Sequence, residues 1–105
     1  MEVTIEDIPK LLESTGLPVA YHSFAEGDAP ELPYICYLFP GTNNFAADGQ
    51  VYVKIDMVRI ELYTAYKDIE IEKKLENALS SLFWEKSEEY LDGEKCFMIT
   101  YELEV

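Results

Sequence analysis

Positive charge is the first thing this sequence lacks. Eight lysines and arginines stand against 21 acids, a formal net charge of −13. Affinity for a nucleic-acid backbone comes mainly from cationic neutralisation and counterion release, so direct binding of DNA or RNA is disfavoured. The deficit is uneven: residues 1–33 carry 7 acids and 1 base, residues 34–67 carry 3 and 3, and residues 68–105 carry 11 and 4. The middle of the chain is neutral and its flanks are acidic.

Histidine is almost missing. His22 is the only one, which excludes a His-dependent triad or a multi-histidine metal centre within one chain. Cysteine is scarce too: Cys36 and Cys96 lie in strand-like runs without CxxC spacing, and are expected to be reduced, buried thiols. Long apolar runs are absent; "YICYLF" falls far short of the roughly 20 residues of a membrane helix, and no membrane association is expected. The opening "MEVTIEDIPK" has no apolar signal core, so folding in the cytoplasm is expected. The acids Glu26, Asp28 and Glu31 share a loop bounded by prolines, but their spacing matches no calcium loop. Glu88 and Glu89 are neighbours in a strand-like run and point to opposite faces, which keeps them from sharing one site. These absences predict a non-enzymatic chain without cofactor or metal.

What is present is core material. Residues of hydrophobic type make up 49% of the chain, including eight tyrosines, far more than a disordered acidic chain carries. A length of 105 residues suits a single domain, 1–105, with one core. "TIEDIPKLLESTGLP" reads as a short amphipathic helix, with Thr4 as cap, Asp7 three residues on, Ile5, Ile8, Leu11 and Leu12 on one face, and Gly16 and Pro18 as stops. Val19 to Phe24 reads as a strand, "AEGDAPELP" as a loop, and Tyr34 to Phe39 as a buried strand.

From Val51 to about Thr64 no residue breaks the strand pattern, but the apolar phase changes. Val51, Val53, Ile55 and Met57 are odd; Val58, Ile60 and Leu62 are even. Strand side chains alternate with period 2, so the switch predicts a bulge near Asp56, or a strand whose first half packs on a different partner from its second. Asp68 to Leu82 reads as the second helix, capped by Asp68, with Ile71, Leu75, Ala78, Leu79 and Leu82 in one arc and Lys73, Glu76 and Asn77 opposite. The last two strands, "WEKSEEYL" and "KCFMITYELEV", are joined by Asp92-Gly93, a dipeptide suited to the positive φ angles of a tight hairpin. The order α-β-β-β-α-β-β predicts an α+β fold: a two-layer sandwich, mostly antiparallel sheet with two helices on one face.

The segment "FPGTNNFAADGQVY" stands out. Its interior, Pro40 to Gln50, is longer than a tight hairpin needs, and ordered loops of this length usually carry function. Phe45 has two possible homes: tucked onto its own sheet, or projecting from an extended hairpin that continues the odd-numbered face of Val51, Val53 and Ile55. The second makes Asn43, Asn44, Phe45, Val51, Tyr52 and Val53 candidate interface residues. The tyrosines fit either use, since the ring suits a core border and an interface alike.

"TGLPVAYHSF", "LPYICYLFPG", "ADGQVYVKI", "IELYTAYKDIEIEKKLE" and "ITYELEV" together resemble small proteins of phages and prophages of Gram-positive bacteria, placed in the head-to-tail joining region as tail completion or tail terminator proteins. The resemblance covers nearly the whole chain as a pattern of lengths and apolar runs. It implies a virion structural protein whose copies form a ring, six in number, at the head-proximal end of the tail, between the tail tube protein and the neck or head-tail connector proteins. It further implies assembly in the bacterial host cytoplasm, then residence in the virion, without catalytic residues. The alternative is an acidic inhibitor, a DNA mimic that occupies the basic groove of a nucleic-acid enzyme.

Overall fold

The computed structural model describes residues 2–105 and shows an α+β fold. A 3-10 turn at Ile5–Asp7 runs directly into α1 (Ile8–Glu13). The Thr4 amide donates to the Asp7 carboxylate at 2.9 Å, which satisfies one of the orphan donors of a helix start. Pro9 occupies the second position of α1, where a missing amide costs nothing. Gly16, at φ 82°, ends the segment in the left-handed region that glycine reaches without strain.

The main sheet has five strands in the order β1-β2-β5-β7-β6. These are β1 (Val19–Tyr21), β2 (Tyr34–Thr42), β5 (Asp56–Thr64), β6 (Trp84–Leu91) and β7 (Cys96–Glu104). Only β1 and β2 run parallel; the other neighbours are antiparallel. Two short strands, β3 (Phe45–Ala47) and β4 (Gln50–Val53), form a separate ribbon. The second helix, α2 (Ile69–Ala78), is capped by Asp68, whose side chain accepts from the Ile71 amide at 3.2 Å.

Register decides which face is buried. Ile35 pairs with Leu62 and Leu62 with Ile99, while Ile60 pairs with Tyr101 and Val58 with Leu103. These residues form one cluster with Ile8 and Leu12 of α1, Leu75 of α2 and Leu79 just past its end. Both helices therefore cover the same face, and the other face carries Tyr34, Cys36, Met57, Arg59, Tyr63 and Met98 without a helix over it.

Several local expectations shift. The first strand stops at Tyr21 because His22 turns to φ 66°, and β2 runs on to Thr42 instead of ending at Phe39. The stretch Val51 to Thr64 is not one bulged strand: it breaks at Lys54 and Ile55 into β4 and β5, and with β3 in the preceding segment the order gains two strands. The second helix ends at Ala78, short of Leu82. Its Glu76, placed opposite the core by the helical pattern, is half-buried instead. Between β6 and β7 the positive φ falls on Lys95, at 53°, and not on Asp92-Gly93.

Candidate functional site: a projecting apolar arm

The arm grows from the end of the main sheet. Between Leu38 and Gly41 the pairing of β2 with β5 shifts register, and Pro40, which has no amide to donate, sits inside that irregularity. Asparagines then form the root. The Asn43 amide donates to the Ile55 carbonyl at 2.8 Å, the Asn43 side-chain amide donates to Glu104 Oε2 at 2.8 Å, and the Ile55 amide donates to Asn44 Oδ1 at 3.2 Å. The two side chains thus hold the chain where the regular ladder lapses. The structure places Asn43 and Asn44 at the base of the arm, apart from its tip.

The tip is a two-residue turn. Asp48 at φ 53° and Gly49 at φ 74° join Ala47 to its partner Gln50, the positive-φ pair that matches the twist of a hairpin. Below it, Ala46 pairs with Val51 and Phe45 with Val53, so Tyr52 is the extra residue of a bulge. The rings of Phe45 and Tyr52 then meet edge to face, centroids 6.5 Å apart. This contact is the arm's own and buries neither ring: Phe45 is 63% exposed and Tyr52 73%. Val51 and Val53 are exposed as well. Phe45 therefore does not close the core of its own sheet.

The arm also shapes the molecule. Its longest extent is 49 Å against 27 and 23 Å, and its radius of gyration is 14.9 Å, where a compact chain of this length has about 13 Å. Five residue steps from Asn43 to Asp48 carry the tip about 17 Å from the root. A two-stranded ribbon alone is marginally stable, and contiguous exposed apolar side chains mark an interaction surface. Between Leu38 and Val53 the only charged residue is Asp48, so the arm is also the segment least repelled by another acidic surface.

No protein-family model matches this chain, and no curated protein matches it significantly.

Away from the arm, Glu26, Asp28 and Glu31 are exposed in their loop, and among the described residues no three potential ligands of His, Cys, Asp or Glu type come together as a metal site. Among the same residues no helix is long and apolar enough to cross a membrane. A groove of about 510 Å³ opens beneath the 22–33 loop, lined by Phe24, Tyr34, Cys36, Tyr63 and Cys96 among others. Both cysteines are free and buried. Burial and the charge of Glu61 push the Cys36 thiol up to about 11, and burial with Glu94 raises Cys96. Both are held as neutral thiols, which are poor nucleophiles and poor metal ligands.

Sequence reasoning missed one polar constellation. Glu72 lies buried at 2% exposure on α2, with Lys67 Nζ 2.6 Å from its Oε2 and Lys86 Nζ 3.1 Å from its Oε1. Lys67 also reaches Glu88 at 2.6 Å, and Lys86 reaches Glu76 at 2.6 Å. Tyr101, wholly buried in the core, donates its hydroxyl to Glu76 at 2.7 Å. The sign of this network was present in the sequence: Glu72, Leu75, Glu76 and Leu79 have the i, i+3, i+4, i+7 spacing of a core-facing stripe. Its partners on β6 become visible only through the strand register.

Burial pushes the Glu76 carboxyl up, but hydrogen bonds from Lys86 and Tyr101 together outweigh it and hold the group below its ordinary 4.5. A lowered folded-state value means that the unfolded chain takes up the proton first on acidification. The stabilisation is therefore complete above the ordinary carboxylate range and fades as pH falls through the lowered value. Glu76→Gln should flatten the acid limb of the stability curve below pH 4.5. Urea melts of both proteins between neutral and acid pH check this; parallel curves would show that Glu76 contributes nothing to it.

Proposed function

We propose that this chain is a non-enzymatic structural subunit that assembles into a homo-oligomeric ring in a phage or prophage particle, in the manner of the tail completion and tail terminator proteins its sequence resembles. The observation that carries the reading is the arm: four exposed apolar residues, Phe45, Val51, Tyr52 and Val53, on a ribbon that projects beyond the core. A surface of this kind on a highly charged domain supports insertion into a neighbouring subunit or an adjacent layer, and head-to-tail contacts close into rings when the rotation allows. The arm's single charge, Asp48, makes it the least repelled route to contact between copies that otherwise repel. A ring of six between the tail tube and the neck follows from the resemblance alone.

The DNA-mimic reading has less behind it. Such a mimic spreads carboxylates along one continuous face, whereas here Glu72 and Glu76 are already neutralised by Lys67 and Lys86, and the acids of the 22–33 loop are separated from those of α2 and β6 in sequence by a neutral middle. Cryo-electron microscopy of tails from particles that contain this chain tests the proposal. A closed ring of this chain at the head-proximal end of the tube is expected. Its absence from that end, or single copies on the outside of the tube, would sink the reading.

A further inference from the structure

The groove of about 510 Å³ beneath the 22–33 loop lies against the sheet face that no helix covers, and none of its lining residues belongs to the arm. Tyr34 of β2 is paired with Tyr63 of β5, and their rings lie 5.2 Å apart at 37°. Phe24 of the loop meets Tyr34 edge to face, at 5.1 Å and 77°. All three rings line the groove, and none is fully buried. Tyr63 donates its hydroxyl to Glu61 Oε1 at 2.8 Å, which pins the ring and pushes electron density into it. Two carboxylates, Glu31 on the loop and Glu94 between β6 and β7, line the same groove, and none of the described residues around it is lysine or arginine. Among the described residues neither carboxylate has an ion-pair partner. Glu94 acts on the aromatic wall: burial above all, with Cys36, Cys96 and Glu94 adding to it, pushes the Tyr34 hydroxyl up.

The geometry points to this groove as a binding site for a small organic cation, a quaternary or heavily methylated ammonium held against Phe24, Tyr34 and Tyr63 and balanced by Glu31 and Glu94. The site is independent of the ring reading and stands or falls without it. The negative face of an aromatic ring attracts a cation within about 6 Å of its centroid, most strongly where water is excluded. An anion would instead meet two carboxylates and no counter-charge. A hard metal ion needs several oxygen ligands, and among the described residues no three potential ligands of His, Cys, Asp or Glu type come together. A primary ammonium is strongly hydrated and would turn its donors toward Pro30, Leu32 and Leu91, whereas methyl groups suit those side chains. A phosphocholine lipid headgroup adds a phosphate that the same carboxylates repel, so the ligand is a free cation. The volume agrees, since small-molecule sites span about 300–1,000 Å³.

Choline and its uncharged isostere, in which carbon replaces the ammonium nitrogen, test the assignment in amide NMR titrations at constant ionic strength. Choline should shift the amides of the loop and of the segment from Leu91 to Cys96 along a saturable, millimolar curve, and the isostere should bind about tenfold more weakly. Replacing both carboxylates, Glu31→Gln with Glu94→Gln, alters two exposed positions and should weaken choline about fivefold while leaving the isostere unchanged. Tyr34→Leu should weaken choline about fivefold or more. Circular dichroism melts establish that the variants fold, and Phe24→Leu takes the place of Tyr34→Leu where the latter does not. Phosphatidylcholine vesicles should not carry the protein in flotation. Equal binding of choline and its isostere, no saturable shift with choline, shifts confined to residues outside the groove, or choline binding that survives both the carboxylate and the ring variants overturns the site. Flotation with the vesicles overturns the free-cation assignment.

Discussion

Replacing both Lys67 and Lys86 with methionine will cost about 3 kcal/mol of folding stability, near the low end of the range for stripping the partners from a buried charge. Glu72 explains the size of the effect. Its side chain is 3% exposed, and each carboxylate oxygen faces one lysine, at 2.6 and 3.1 Å. Methionine keeps the apolar stems of both lysines but leaves the carboxylate without compensation between α2 and β6. The lysines themselves are 42% and 39% exposed, so water relieves part of the penalty, which keeps the expected loss from reaching the top of the range. For a chain of this size the melting temperature should fall by roughly 12 °C or more. The opposite change is milder: Glu72→Met should cost less than about 1 kcal/mol, because Lys67 keeps Glu88 and Lys86 keeps Glu76, and an apolar side chain suits the site. Thermal and urea melts of the two variants decide the matter. Equal losses would mean that Glu72 acts through packing alone.

The contrast between this network and the main sheet shows what the sequence could carry. The even-numbered run Val58, Ile60, Leu62 and the odd-numbered run Ile99, Tyr101, Leu103 were legible because each alternates cleanly over one buried face, and both lie in the core. The phase change before Val58 allowed either a bulge near Asp56 or a first half that serves another partner, and the structure takes the second, with β4 paired to β3. Its position was less legible: the break falls at Lys54 and Ile55, where Asn43 and Asn44 from a distant part of the chain take over the ladder bonds. Turn chemistry alone does not place the turns. Asn43 and Asn44 look like turn formers but anchor the arm's root, while the nearby Asp48-Gly49 makes the turn; Asp92-Gly93 looks like a tight hairpin but belongs to a longer loop whose left-handed residue is Lys95. In both cases the dipeptide permits the conformation, and strand register chooses which residue adopts it. The clamp around Glu72 was hidden for the same reason, since Lys86 meets α2 only because β6 is paired so that Lys86 lies opposite Tyr101.

Phe45→Ala and Tyr52→Ala should each leave the isolated protein melting within a few degrees of wild type and still abolish efficient assembly. The rings are 63% and 73% exposed and touch chiefly each other, so truncation removes little buried area and opens no cavity in the core cluster. A buried residue responds differently: Ile60, wholly buried between β2 and β7, should cost about 2–5 kcal/mol when cut to alanine, by lost transfer energy plus the cavity left behind. An aromatic anchor at an interface typically contributes about 2 kcal/mol or more to association, a change of about 30-fold in affinity. In a ring each copy uses the contact twice, once as donor and once as acceptor, so the loss compounds around the circle. Phe45→Ala should therefore shift the concentration at which oligomers form by well over an order of magnitude, whereas Ile60→Ala should lower the melting temperature and reduce assembly only as the folded fraction falls. Sedimentation velocity and thermal melts on the same samples separate the two patterns. A large drop in melting temperature for Phe45→Ala would mean that the ring packs on its own domain in solution, and undiminished assembly would mean that the arm is not the anchor.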